Sequence, residues 1–175
     1  MKFLLKILFY TIFFILTLIL FLPKQELYFL LEKKLENKNI IISKEKVNDG
    51  INYLSLSNFE IYYDKLLISE VESLTLDSYL FFSKINIKNL KISDAFNHIF
   101  PSELKNIEVN YNIIDFNKVT LDIFEDDFSI KGIYLFGENK INFELILKDE
   151  NKITNNKLIR YFNKIDGKYY YEYKF

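Results

Sequence analysis

Along the chain the spacing of hydrophobic residues passes through three regimes. Residues 3–22, FLLKILFYTIFFILTLILFL, are apolar on every side of a helix, and the sixteen from 7 to 22 carry no charge. Twenty helical residues reach about 30 Å, the thickness of a bilayer's hydrocarbon core. Lys6 lies near the start, where it can snorkel to the interface, and Pro23 and Lys24 close the stretch. A cleaved signal peptide shares the basic start, but no small-residue A-x-A site follows, only LFLPKQE, and the run exceeds a usual signal core. The pattern therefore favours an uncleaved transmembrane anchor over residues 1–23. A helix buried in a soluble core fits least well, because the stretch is apolar all round. Lys2 and Lys6 place the N-terminus on the cytoplasmic side and everything from Lys24 onward on the other.

The second regime covers residues 24–38. Leu27, Leu30, Leu31 and Leu35 recur at helical spacing on one face. This amphipathic helix either docks its leucines on the following domain or lies on the bilayer surface. From residue 39 the period falls to two, predicting strands at 39–43, 51–63, 66–77, 79–92, 106–114, 117–124, 127–136, 140–148 and 168–174. Turn signals separate them at Asn48-Asp49-Gly50, Glu125-Asp126-Asp127 and Gly137-Glu138-Asn139-Lys140. Short connections make neighbours antiparallel. A turn of helix is expected from Asp94 to before Pro101. A further helix is expected in TNNKLIRYFNKIDG, with Leu158, Tyr161, Phe162 and Ile165 as its stripe and Gly167 as its end. The expected fold is mainly β: an N-terminal transmembrane helix, then a curled antiparallel β-sheet with one helix near each end of a single body domain, residues 39–175.

One phrase occurs twice. LSLSNFEI begins at Leu54 and INIKNLKI at Ile85. In each, the apolar parity flips midway: Leu54 and Leu56 against Phe59 and Ile61, Ile85 and Ile87 against Leu90 and Ile92. A regular strand would throw the second pair into water, so an irregularity at Asn58 and Asn89 is required to keep all eight on one face. A β-bulge does this, and Asn tolerates the backbone geometry it needs. Bulges bend strands, which predicts a sheet curling around an apolar concave face. The eight residues are candidates for an open groove; they serve equally as ordinary core if the body closes on itself. A turn between two shorter strands is the other reading of each Asn.

Residues 47–93, VNDGINYLSLSNFEIYYDKLLISEVESLTLDSYLFFSKINIKNLKIS, resemble the start of type II secretion system protein N (GspN) and the wider AsmA-like group. These proteins pair a single N-terminal membrane helix with strands of the form L-x-L-x-N-hydrophobic-x-hydrophobic. A short turn and a further strand follow, represented here by Ile68, Val71 and Leu74. The likeness covers about a quarter of the chain plus the anchor. It implies a periplasmic β-rich body on the inner membrane of a two-membraned bacterium. It also implies partners among envelope secretion or lipid-transport proteins, or phospholipid itself.

Composition narrows the chemistry. Cysteine is absent, which excludes disulfides, thiolate metal sites and a cysteine nucleophile. Four glycines cannot cradle phosphates in a P-loop. The net charge of −1 gives no electrostatic reason to bind nucleic acid. His98 is the single histidine and has no partner for zinc or a catalytic triad. Asp122, Glu125, Asp126 and Asp127 miss the spacing of a calcium loop and read as an acidic hairpin tip. Ser55, Ser57, Ser69 and Ser73 lack the nucleophile-elbow context. No catalytic residue, metal or cofactor is expected. The ending KYYYEYKF aligns Tyr169, Tyr171, Tyr173 and Phe175 on one parity, as in the closing strand of an outer-membrane barrel, but the N-terminal helix contradicts that destination. The expectation is a non-enzymatic membrane-tethered scaffold for envelope or secretion assembly, or alternatively a module that binds and transfers lipid.

Overall fold

The computed structural model describes residues 2–20, 23–79, 81–96, 101–148 and 157–175. Two helices precede the sheet: α1 (Lys2–Leu20) and α2 (Lys24–Glu36). The strands are β1 (Ile40–Ser43), β2 (Lys46–Asp49), β3 (Tyr53–Tyr63), β4 (Leu66–Ser78), β5 (Phe82–Ile92), β6 (Glu103–Asn112), β7 (Lys118–Phe124), β8 (Phe128–Leu135), β9 (Lys140–Leu147), β10 (Asn163–Ile165) and β11 (Lys168–Lys174). They form one antiparallel eleven-stranded sheet, ordered β1-β3-β4-β5-β6-β7-β8-β9-β11-β10, with β2 also paired to β3. It does not close: β1 and β2 share one edge, and β10 lies at the other.

Cross-strand register sorts the side chains. Leu54, Leu76, Ile85, Val109, Leu121, Gly132, Phe143 and Tyr171 pair in one continuous row across eight strands. Leu56, Leu74, Ile87, Ile107, Ile123, Ile130, Leu145 and Tyr169 form a second row two positions away. The row between them is Ser55, Thr75, Asn86, Glu108, Asp122, Lys131, Glu144 and Tyr170, and it points to the opposite face. Ion pairs Lys84–Glu108 and Lys168–Glu144, both 2.9 Å, decorate that polar face. Gly132 leaves room for the ring of Phe143 on the next strand: a Cβ there would stand 2.8 Å from the ring.

Asn58 and Asn89 have left-handed backbones, with φ of 52° and 50°. Both are skipped by the ladders, yet the register on either side is unchanged. The irregularity is therefore not a one-sided bulge. Glu72 on β4 and Lys105 on β6 are skipped in the same row. The apolar parity inverts there on every strand: Leu56 to Phe59, Leu74 to Val71, Ile87 to Leu90, Ile107 to Leu104. At the edge, Val47 pairs with Leu56 and Ile42 with Ile61, with Lys44 at φ 66° between them. A crease thus crosses the sheet from its edge to β6. The Asn89 amide donates to Glu72 Oε2 along it, and the Lys105 N–H donates to Glu125 Oε1 at 2.6 Å where β7 has ended.

Two further features differ from the sequence reading. Lys46–Asp49, taken in part as a turn, forms β2. The expected C-terminal helix is a 3₁₀ turn over Lys157–Tyr161 followed by the β10–β11 hairpin. Asp166 and Gly167 both have positive φ, the geometry of a two-residue hairpin turn, so Gly167 bends a hairpin and does not end a helix. Leu158 is buried and Phe162 packs beside it, while Tyr161 and Ile165 are exposed. A 3₁₀ turn is seen at Asp94–Phe96; His98 lies outside the described residues. No helix among the described residues is long and apolar enough to cross a membrane. Phe21 and Leu22, the end of the apolar stretch, are outside them, so the expected span rests on the sequence.

The left-handed backbones give a test. Valine pays an αL penalty of roughly 1–2 kcal/mol that glycine does not. Asn58→Val and Asn89→Val are each expected to lower the stability of the full chain in mild detergent by about that amount, measured by urea denaturation. Asn58→Gly and Asn89→Gly should stay close to the parent. Equal tolerance of valine and glycine would mean that the crease does not hold these conformations.

Candidate functional site

A one-faced sheet must cover its apolar side or leave it wet. Here two small cores cover it at opposite sides. In the first, Tyr28 of α2 packs on Leu54, Leu56, Phe59 and Val71. In the second, Leu158 of the 3₁₀ turn packs on Phe128, Ile130 and Leu145. Between them Leu104 and Ile107 of β6 are buried, while Ile85, Val109, Val119 and Leu121 are only half-buried.

Under α2 the cover is incomplete. A groove of about 370 Å³ lies between the helix and the sheet. Its helix wall is Leu27, Tyr28 and Leu31, and its floor includes Leu54, Leu56, Leu74, Leu76 and Ile85. Apart from Lys24 and Ser78, its lining is hydrocarbon and one tyrosine ring. Lys24 is buried at the start of α2, and its ammonium donates to the Ile51 carbonyl, pinning the helix to the β2–β3 turn.

The eight residues singled out in the sequence all lie on this apolar side, in different roles. Leu54, Leu56 and Phe59 are core; Ile61, Ile87 and Leu90 pack against that core. Leu54, Leu56 and Ile85 also floor the groove. Ile92 pairs with the buried Ser69 beyond the crease. The helix-side wall was missed as part of a site, although the spacing of Leu27 and Leu31 had placed them on one face. Copies of the phrase in β4 and β6 were missed too, because antiparallel strands spell it backwards: LTLSEVE from Leu76 to Glu70, and VEINKLE from Val109 to Glu103.

The polar candidates stay apart. Ser55, Ser57 and Ser73 sit on the opposite face from the groove, and Asp122 pairs with Glu108 and Lys131 there, away from the Glu125–Asp127 turn. On that face the crease opens a dent lined by Asn58, Glu60, Glu70, Glu72, Asn89, Lys91 and Glu103, among others. Glu60 is held by Lys44 and by the Tyr62 hydroxyl, both at 2.6 Å, which lower its pKa. No group of acidic or histidine side chains among the described residues is arranged to hold a metal ion.

Tyr28 is the one strained polar group of the groove. Its hydroxyl is buried without a hydrogen-bond partner. Glu45 acts on it as a charge and as a nearby acceptor that falls short of full hydrogen-bond geometry, and Glu32 acts on it as a charge. Burial first, then those two charges, push the phenol well above its ordinary range. Glu32 is raised as well, by burial and by the neighbouring Glu45 and Glu36.

Comparison with protein-family models, with curated proteins and with solved structures found no match.

The neutral, unpartnered phenol carries a prediction. An unsatisfied buried hydroxyl costs about 1–3 kcal/mol. Tyr28→Phe is therefore expected to raise stability, by about 1 kcal/mol. The folded state holds the phenolic proton more tightly than the unfolded state does. Stability from this group is thus intact below the ordinary tyrosine pKa of about 10 and is lost as pH rises beyond it. Denaturation midpoints from neutral to alkaline pH should fall more steeply for the parent than for Tyr28→Phe; parallel curves would refute the assignment.

Proposed function

We propose that this chain is a non-enzymatic, membrane-anchored module whose apolar sheet face takes a lipid acyl chain. The groove beneath α2 carries the reading: a channel of aliphatic side chains that the protein's own helix leaves unfilled. Such a surface recognises hydrocarbon by area, at about 25 cal/mol per Å² removed from water, and needs no catalytic group. Its continuation as two apolar rows gives a chain room to extend beyond α2. Lys24 supplies a cation at the start of the helix wall, where a phospholipid headgroup would emerge.

The anchor is part of the same proposal. Described side chains of α1 from Phe3 to Phe14 are exposed and apolar on all sides of the helix, with Lys6 and Thr11 as the exceptions. Water is a poor solvent for that surface and a bilayer a good one. With Lys2 and Lys6 on the cytoplasmic side, the sheet occupies the periplasmic side of the inner membrane. A curl toward the apolar face belongs here too, supported by the crease. The likeness of residues 47–93 to the AsmA-like group points to lipid traffic or envelope assembly. The scaffold reading uses the same half-covered strands β5–β7, on which a partner's apolar element would seat.

The full chain extracted in mild detergent is expected to carry phospholipid in a native mass spectrum. Leu76→Trp, which fills the groove floor, should lose it while keeping its circular dichroism. A lipid-free parent would overturn the lipid reading. Crosslinking to a secretion component in place of lipid would move the assignment to the scaffold.

A further inference from the structure

The two ends of the sheet differ in chemistry. Strands β3, β5, β7 and β9 begin at one end, where β2, β4, β6, β8 and β11 finish. Each turn at this end carries a large apolar residue, in most of them beside polar ones. Ile51 lies in the β2–β3 turn, Phe81 in β4–β5, Ile114 and Phe116 in β6–β7, Phe136 in β8–β9, and Phe175 just past β11. Five of them are largely open to solvent, at 71% for Ile51, 60% for Phe81, 80% for Ile114, 70% for Phe116 and 74% for Phe175, while Phe136 rests against Tyr111 and Tyr134. Turn residues are normally polar, so four connections that each carry a large exposed apolar residue at one end, with Phe175 beside them, require an explanation.

The described turns at the opposite end obey it. They read Asp64-Lys65, Glu125-Asp126-Asp127, Asp166-Gly167 and, in its described part, Ser93-Asp94-Ala95-Phe96, where Phe96 is half-buried. Among exposed large apolar residues there, Tyr63, Leu66, Phe124 and Ile165 stand at strand termini, and Tyr161 ends the 3₁₀ turn before β10.

The start of α2 marks which end faces α1. Lys24 is bonded to Ile51, so α2 begins at the apolar end and runs along the sheet for thirteen residues. Leu20, the last described residue of α1, precedes Lys24 by four positions, a reach of at most about 14 Å. The chain therefore emerges from α1 beside the apolar turns.

We infer that these turns form a rim that dips into the lipid interface beside α1, so that the sheet stands on the bilayer by its strand ends. The occupant is the bilayer surface itself. Large aliphatic and aromatic side chains on short turns suit the headgroup–acyl boundary. The inference rests on the proposed anchor, and it deepens the lipid reading by bringing the groove's Lys24 end to the membrane from which a lipid would come.

The chain contains no tryptophan, so each introduced tryptophan is a sole reporter of that fluorophore. Full-length Ile114→Trp, Phe116→Trp, Phe124→Trp and Phe9→Trp are reconstituted into phosphatidylglycerol–phosphatidylethanolamine vesicles with and without brominated acyl chains. All four positions are exposed, and circular dichroism verifies the fold. The expected result is blue-shifted, bromine-quenched emission at positions 114, 116 and 9, with unquenched, water-like emission at 124. Quenching at 9 but not at 114 or 116 overturns the rim and leaves the anchor standing. Quenching at 114 and 116 but not at 9 overturns the anchor and leaves the rim as a peripheral contact. Equal quenching at 124 and 114 overturns the end-on orientation, and quenching nowhere overturns both.

Discussion

Everything in this structure depends on constant register across a sheet with one apolar face. Between β3 and β6 the ladders cross the crease itself without gaining or losing a residue; the one register shift in these ladders lies further along β3–β4, where Ile61 pairs with Ser69 and Tyr62 with Leu67. When one strand turns its side chains over, its neighbour must do so in the same row, or an apolar residue would face a polar one. Asn58 and Asn89 accept left-handed backbones, and Glu72 and Lys105 invert beside them without positive φ. The cost is a row of skipped pairings. The return is one unbroken apolar side along strands as long as thirteen residues.

That single apolar side explains the sparse helices. A sheet of this width needs a second layer, yet among the described residues its buried clusters are capped by α2 and by the 3₁₀ turn over Lys157–Tyr161. Each builds a compact core where it lands, and of the strands between only β6 has buried apolar residues, Leu104 and Ile107. The Tyr28 hydroxyl belongs to the same economy: an aromatic ring long enough to cover the floor buries its polar tip without a full hydrogen bond.

Strand existence was legible wherever alternation ran past seven residues, since period two has no helical rival at that length. The candidate apolar positions were legible for the same reason, and the Asn signal located the irregularity. Its symmetry was not, because the matching phrase in β4 and β6 runs in reverse and uses Glu and Lys at the pivot. Residues 157–165 misled because Leu158, Tyr161, Phe162 and Ile165 fit a helical stripe, while Asp166-Gly167 encodes a tight hairpin turn that outranks it. β2 was hidden by Asn48-Asp49-Gly50, turn-forming residues recruited to a short edge. The groove required tertiary knowledge: no periodicity says that α2 stops short of filling the space beneath it.

An open eleven-stranded sheet could be extended indefinitely by adding strands from other molecules. Its borders are built against that. On one side the border is broken at Lys44, whose left-handed backbone and ion pair to Glu60 separate two four-residue strands. On the other it is stepped, with three-residue β10 over Lys168–Tyr170 and the remainder of β11 beyond it. Neither border offers a free run longer than four residues. Short and interrupted templates nucleate cross-β growth poorly, so a wide, incompletely covered sheet can remain a single molecule and not the seed of a fibre.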